Sequence, residues 1–391
     1  MKKIAVVTST RAEFGLLMPV IQSLREYENK ELKIEVVVTG THLSDEYGRT
    51  ISEIYRNDIR VDETVEIPVG SKDAEDISHN QAISLEKFTG LFMEKKYNGI
   101  VILGDRYEML AIAIAAGNTH TPIFHLCGGD TTEGALDEWI RHSITKMSYL
   151  HFPSNTESYK RIIQLGEDPA RVFNYGSTSI DNIIKLSNMP KSDVLKSIGL
   201  EECRYAVCTY HPVTMDNGDV DEMVQNFLDA IKNTQEIKFI VTKSNADQGG
   251  AHINELLDAA EEDIKNLHVY TSLGVVRYLS LMKSAEFVIG NSSSGIIETP
   301  AFGIPTINIG DRQRGRLQSE SIINCSTDSE SIEAAIQKAM DPEFKKICKS
   351  VISPYGDGHA AENIASKIVE VVSKDEIDLK KKFFNIEVNV R

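Results

Sequence analysis

The sequence predicts an α/β protein made of two doubly wound parallel sheets of nearly equal size. Three observations lead there. Short continuous apolar runs alternate with amphipathic segments, the pattern of parallel strands covered by helices on both faces. The scheme occurs twice, before and after a stretch at 186–199. The length, 391 residues, is too great for one ordinary core and suits two.

In the first half, strands are predicted at Ile4–Thr8, Ile34–Thr39, Gly99–Leu103, Ile123–Leu126, Leu150–Phe152 and Val172–Tyr175. Helical patterns lie between them at Leu16–Tyr27, Ser84–Lys95, Tyr107–Ala116 and Asp137–Met147. Leu186–Gly199, with Pro190, reads as a linker. In the second half, strands are predicted at Tyr205–Thr209, Lys238–Thr242, His268–Tyr270, Phe287–Ile289 and Thr306–Ile309. Helices are predicted at Val220–Lys232, Ile253–Glu262, Val275–Ser284 and Ser331–Met340. A last helix at Ala360–Ser373 follows the turn-rich segment 354–358. The predicted domains are 1–185, joined by a returning C-terminal stretch 360–391, and 186–359. Two Rossmann-like domains with a terminal helix crossing back is the GT-B architecture, with a deep interdomain cleft.

Composition narrows the function. Hydrophobic residues make up 41% and charged residues 26%, as in ordinary globular chains. The net charge of −16 argues against general nucleic-acid binding, which needs a basic face. No apolar run approaches the ~18 residues of a membrane span. The apolar stretch Ile4–Val7 is too short for a signal peptide, so a cytoplasmic protein with no membrane partner is expected. Five cysteines without a CxxC pair read as reduced thiols.

In doubly wound folds ligands sit beyond the carboxyl ends of the strands, so the loops there carry the chemistry. The first strand runs into Thr8-Ser9-Thr10-Arg11-Ala12-Glu13, either a capped turn with a solvated arginine or an anion site with Arg11 as a fixed fork. No GxGxxG is present, which counts against a dinucleotide. Asp105, in Gly104-Asp105-Arg106, is placed to be an N-cap or a carboxylate facing a ligand. The densest cluster is Cys127-Gly128-Gly129-Asp130-Thr131-Thr132-Glu133, followed by Asp137, Glu138 and Arg141. Acids there can complement a helix dipole, or hold one another's pKa values apart as an acid and a base. His211, before Pro212, is either a structural histidine or a contact to an anion or the reacting sugar. Gly290-Asn291-Ser292-Ser293-Ser294-Gly295, leading to Glu298, suits a diphosphate at a helix start with ribose hydroxyls on the glutamate. Arg312, Arg314 and Arg316 form a local basic cluster.

The segments TRAEFG (10–15), LGDRYE (103–108), GGDTTEGALDEWIRHSITKMS (128–148), HPVT (211–214), GNSSSGIIE (290–298) and NIGDRQRGR (308–316) stand in order, each after a strand. Together they resemble the UDP-N-acetylglucosamine 2-epimerase family, and its hydrolysing branch in particular. The resemblance covers nearly the whole chain. It implies that Ser292 and Ser293 bind phosphate, Glu298 the ribose and Arg312 the diphosphate region, with Arg11 and His211 also reaching the diphosphate. Arg106, Asn245, Asn291 and Gly295 complete the expected substrate-binding set. Asp105 and Asp137 match catalytic acids, and Arg141 an active-site arginine. Relatives commonly carry a glutamate where this chain has Cys127, so either Asp130 or Glu133 takes that role or the branch divides the proton work differently. Some relatives have a lysine at Leu16.

The implied reaction turns UDP-N-acetylglucosamine into UDP and N-acetylmannosamine through a 2-acetamidoglucal, on the route to sialic acid, with no metal and no cofactor. A UDP-2,4-diacetamido-2,4,6-trideoxyglucose substrate, on the legionaminic acid route, and a non-hydrolysing epimerase are the alternatives. A GT-B glycosyltransferase and a UDP-sugar-binding regulator are more distant ones. Relatives suggest a homodimer or homotetramer.

Overall fold

The computed structural model describes residues 1–45, 49–69, 74–131, 136–211, 220–243, 250–271, 273–313 and 316–387. The chain forms two compact units, Met1–Asn182 with Gly358–Arg391, and Ile183–Asp357. The first unit contains β1 (Lys2–Thr8), β2 (Leu32–Thr39), β3 (Glu63–Val65), β4 (Gly99–Leu103), β5 (Ile123–Leu126) and β6 (Leu150–Phe152), ordered β3-β2-β1-β4-β5-β6. The second contains β7 (Tyr205–Thr209), β8 (Lys238–Thr242), β9 (Leu267–Tyr270), β10 (Val288–Gly290), β11 (Thr306–Ile309) and β12 (Ile322–Cys325), ordered β12-β11-β10-β7-β8-β9. All the strand pairs are parallel. Each sheet is doubly wound: the chain travels outward from its first strand, returns to that strand's other side, and travels outward again. The switch points therefore lie between β1 and β4, and between β7 and β10.

The central strands are buried along their length, as their unbroken apolar runs require: Gly99–Leu103 and Tyr205–Thr209 are buried throughout. Burial of each Ile, Val or Leu side chain there contributes about 1.5–3 kcal/mol. Arg11–Arg25 begins earlier than its apolar pattern does, because Thr10 and Glu13 form a capping box. The helix Ala360–Ser373 packs in the first unit, burying Ala361, Ile364, Ala365 and Ile368 in one cluster with Phe14, Leu17, Val20 and Ile21. Asp181 Oδ1 accepts from Ala361 N (2.8 Å), and Lys2 Nζ donates to Val372 O (2.7 Å) near the other end.

Three expectations need correction. Val172–Tyr175 is not a strand. Val172 makes one parallel bridge to His151, after which Phe173 and Tyr175 stack with Phe152 from an irregular segment. The supposed linker contains the helix Lys191–Ser197, with Val194 and Leu195 buried beside Tyr205, Val207 and Ile240. Pro190 precedes that helix and suits its start, where no N–H is needed. The edge strands β3 and β12 were not predicted, being short and lacking an apolar run. Among the described residues no helix is long and apolar enough to cross a membrane.

The segment after the last helix is tied to the first unit by Glu167, only 1% exposed, which pairs with Lys146 (2.6 Å), His151 (3.0 Å) and Lys381. Lys381 also donates to Ser148 O (2.7 Å). Burial alone would raise the Glu167 carboxyl, but hydrogen bonds from His151, Lys146 and Lys381 outweigh it and hold the group down at about 2, below its usual 4.5. The stabilisation is fully present above pH 4.5 and is lost as pH falls through about 2. Glu167→Gln should cost about 3 kcal/mol at neutral pH in denaturant unfolding. The deficit should shrink in acid, and a deficit unchanged between neutral pH and about pH 3 would contradict this account.

Candidate functional site

In the first unit, the β1–β4 switch point is lined by the turn after β1 and the turn after β4. Glu13 Oε2 accepts from Ser9 N (2.8 Å) and Thr10 N (3.2 Å), so the turn is closed by its own helix. Ser9 Oγ also lies 2.9 Å from Glu108 Oε1, which accepts from Arg106 Nε at 2.6 Å. Burial, and next the charge of Glu108, pushes the Glu13 carboxyl up to about 7. Arg11 is exposed and pairs with Glu53 at 2.9 Å.

At the ends of β4 and β5, Asp105 is held by Arg141 through Nε (2.7 Å) and Nη2. Arg141 is 4% exposed, and its Nη1 donates to Asp130 O (2.9 Å). The Asp130 carboxylate accepts from Asn155 Nδ2 (3.2 Å) and Ser158 Oγ. The first of the two readings for Asp105 falls away: Arg106 occupies the N-cap position, with no side-chain cap, and Asp105 serves as an oriented carboxylate. Burial pushes His125 down to about 3, so the ring is neutral. Its Nε2 lies 3.0 Å from Gly104 O, an acceptor only, so Nε2 carries the hydrogen and fixes the residue before Asp105. Cys127 adopts φ 60°, and burial followed by the charges of Asp130 and Asp105 pushes its thiol up to about 12. It stays protonated at neutral pH and cannot do a carboxylate's work as a base. Asp137 is exposed on the first turn of Leu136–Met147. Glu133 lies outside the described residues.

In the second unit, Asn291 ties together the loops after β7, β10 and β11. It is 1% exposed. Its Oδ1 accepts from His211 N (2.7 Å) and its Nδ2 donates to His211 O (2.8 Å). Its own carbonyl accepts from Gln313 Nε2 (2.8 Å) and Arg312 Nη1 (3.1 Å). Gly290, at φ 140°, lets β10 close on β7, since a Cβ there would meet Thr209 O at 2.0 Å. Ser292 caps the helix Ser293–Ile297, and Ser292 and Ser293 are half-buried. That helix has only five residues, and the hydroxyls and N–H groups of the turn before it are the donors offered to a ligand. Glu298 caps the end of that helix. Its carboxyl accepts from Ser294 Oγ (2.5 Å) and is raised by burial. Gly295 is buried, with Thr306 Cγ2 3.0 Å from the place of a Cβ. Asn245 and Arg314 lie outside the described residues.

The structure thus gathers Asp105, Asp130, Arg141 and Cys127 at one end of the first sheet, and His211, Asn291, Ser292 and Arg312 at the second switch point. The sequence reading missed Ser9, Glu13, Glu108, Asn155, Ser158 and Gln313. The Thr10-x-x-Glu13 spacing was a signal for the capping box. The others are joined by contacts between distant parts of the chain, for which no local signal exists.

A family model described as UDP-N-acetylglucosamine 2-epimerase matches residues 25–369, most of the chain. The chain belongs to the UDP-N-acetylglucosamine 2-epimerase family. It is 38% identical over 347 residues to the GDP/UDP-N,N'-diacetylbacillosamine 2-epimerase (hydrolyzing) of Campylobacter jejuni, covering 88% of this chain and 89% of that one. It is 36% identical over 383 residues to polysialic acid biosynthesis protein P7 of Escherichia coli, covering 97% of each. These likenesses put this 2-epimerase-family chain with the hydrolysing branch. A crystal structure of UDP-GlcNAc 2-epimerase from Neisseria meningitidis bound to UDP-GlcNAc matches with TM-score 0.79 at 17% identity, over 95% of this chain and 100% of that one. At that identity the likeness shows the shared fold, the GT-B class of the family.

Asn291→Ala in this family member should destabilise the second unit by about 2–3 kcal/mol, because it removes both side-chain partners of the His211 backbone, whose groups are partly buried. Asn291→Asp, which keeps the acceptor, should cost less. Equal and negligible losses in chemical denaturation would contradict the role of Asn291 as the tie between these loops.

Proposed function

We propose that this chain is a hydrolysing 2-epimerase of a UDP-linked 2-acetamido sugar. The observation that carries the reading is a carboxylate, Asp105, oriented by buried Arg141 at the carboxyl end of β4 in a chain of this family. Second-unit residues hold the nucleotide in this reading: Ser292 and Ser293 the diphosphate, Glu298 the ribose, and Arg312 the diphosphate region. First-unit residues carry the sugar chemistry, with Arg11 reaching the diphosphate.

The reaction runs in two steps. A carboxylate takes the C2 hydrogen as a proton while the C1–O bond to UDP breaks, giving a 2-acetamidoglucal and UDP. A second acid returns a proton to C2 from the opposite face, and water adds at C1 to give the free manno-configured sugar. Asp105 and Asp137 are the acid–base candidates. Asp130, positioned by Ser158 and Asn155, stands where the neutral Cys127 thiol cannot serve. The C2 hydrogen is unactivated, so stabilising the departing UDP lowers much of the barrier, and the serines and arginines supply that electrostatic term.

Two sugars have specific support. The Campylobacter relative acts, by its name, on GDP/UDP-N,N'-diacetylbacillosamine, a nucleotide-linked 2,4-diacetamido-2,4,6-trideoxy sugar. The Escherichia relative is named for polysialic acid biosynthesis, in keeping with UDP-N-acetylglucosamine, the substrate put first from the sequence. The diacetamido sugar has at least equal support, and we place it first on the higher identity.

Turnover of each UDP sugar alone, followed by NMR in deuterated water, should release UDP and a free manno-configured sugar carrying deuterium at C2. A product without deuterium at C2 would exclude the glucal route, and an unhydrolysed UDP sugar epimer would exclude the hydrolysing one. A kcat/KM higher for UDP-N-acetylglucosamine would reverse the order of substrates. Asp105→Asn should keep the fold and UDP affinity but lower kcat by ~10² or more. Unchanged turnover would remove Asp105 from the mechanism.

A further inference from the structure

The turn after β1 holds an arrangement that this reaction scheme leaves unused. Ser9 Oγ lies 2.9 Å from Glu13 Oε2 and 2.9 Å from Glu108 Oε1. A serine hydroxyl has one hydrogen to donate. It serves one of those oxygens, and the other contact needs a hydrogen from a carboxyl group. Two ionised glutamates would leave one oxygen-to-oxygen contact with nothing between its lone pairs. The setting makes that costly, since Glu13 is 5% and Glu108 2% exposed. Glu13 Oε1 and Glu108 Oε2 are also buried, with no hydrogen-bond partner among the described residues. The guanidinium that meets the pair, Arg106, balances one negative charge.

We propose that Glu13 and Glu108 hold one proton between them through Ser9, and that this proton fixes the Ser9–Arg11 turn and Arg106 for binding a nucleotide sugar at the β1–β4 switch point. The positioning half rests on the UDP-sugar reading above; the shared proton does not. Without the proton, two like charges face each other across one hydroxyl. The turn that presents Arg11, and the guanidinium of Arg106, then lose their fixed geometry.

Other ionisable groups face Glu13 from the elements packed around it. Glu108 and Arg106 approach from the β4 side. His42, on the turn Gly40–Leu43 after β2, has its ring nitrogens against Thr8 Oγ1 and Thr50 Oγ1, and burial holds it down at about 4. Arg11, on the same helix, is occupied by Glu53, and arginines keep their charge. Folding raises the Glu13 carboxyl from 4.5 to about 7, so the folded chain keeps a proton that the unfolded chain releases. The stabilisation is complete below pH 4.5 and is lost as pH rises through about 7.

Glu13→Gln tests this in the full chain, since its amide oxygen can still accept from Ser9 N and Thr10 N while the side chain carries no charge at any pH. Melting of both proteins from about pH 5 to about pH 8 should show the wild type losing roughly 5 °C or more relative to E13Q. A difference constant with pH overturns the shared proton. Calorimetric titration with UDP should show wild-type affinity weakening about tenfold more than that of E13Q over the same range, the titration of UDP itself being common to both. Equal pH dependence overturns the positioning role. Failure of both proteins to bind UDP at any pH overturns that role together with the UDP reading, while the melting curves still decide the proton. If E13Q does not fold, infrared difference spectra of the wild type read the same group. A protonated-carboxyl band lost near pH 7 supports the proposal, and its absence overturns it.

Discussion

In a sheet whose strands all run one way, no strand reaches its neighbour by a tight turn. Each connection has to cross a face and return to the starting edge, in most cases here as a helix. At one place in each sheet, successive crossovers go to opposite sides, and there the outgoing loops part and leave room. The turns after β1 and β4, and those after β7 and β10, lie at these places. The polar residues considered above depend on that topology, because it makes backbone ends and helix starts face one common edge. Without the parallel order, Asp105 and Arg141, or His211 and Asn291, would have no reason to meet.

Room alone does not position a side chain. In both units buried polar groups tie neighbouring loops together at the carboxyl ends of the strands. In the first, Arg141 joins Asp105 to the carbonyl of Asp130, and neutral His125 pins the carbonyl of Gly104. In the second, Asn291 bonds both backbone groups of His211 and receives Gln313 and Arg312. These groups gain little as isolated hydrogen bonds, but each would be costly to leave unpaired in its buried setting, and that asymmetry holds the loops in one arrangement.

The sequence disclosed what burial writes locally. Gly99–Leu103 and Tyr205–Thr209 carry unbroken apolar runs because both faces are covered, and their ends were legible to the residue. The edge strand Glu63–Val65 has one side free, so its composition resembles a loop. Pro190 reads as punctuation, but the same fixed backbone angle also suits the first turn of a helix, and burial of Val194 and Leu195 decides between the two. Site residues divide in the same way. Asp105 was visible as chemistry, but its role stayed open because Arg141 is 36 residues away. Glu13 was legible as a cap through Thr10. Its second partner through Ser9, Glu108, lies 99 residues from that serine and leaves no periodic trace.

Each core cluster is confined to one unit: Ile4 through Val372 and Ala5 through Ile144 in the first, Ala206 through Cys348 and Val194 through Val288 in the second. Within each of these clusters a substitution is met by neighbours of the same half. For protein engineering, grafting loops between relatives half by half should preserve folding more often than exchanging segments that cut through a single sheet.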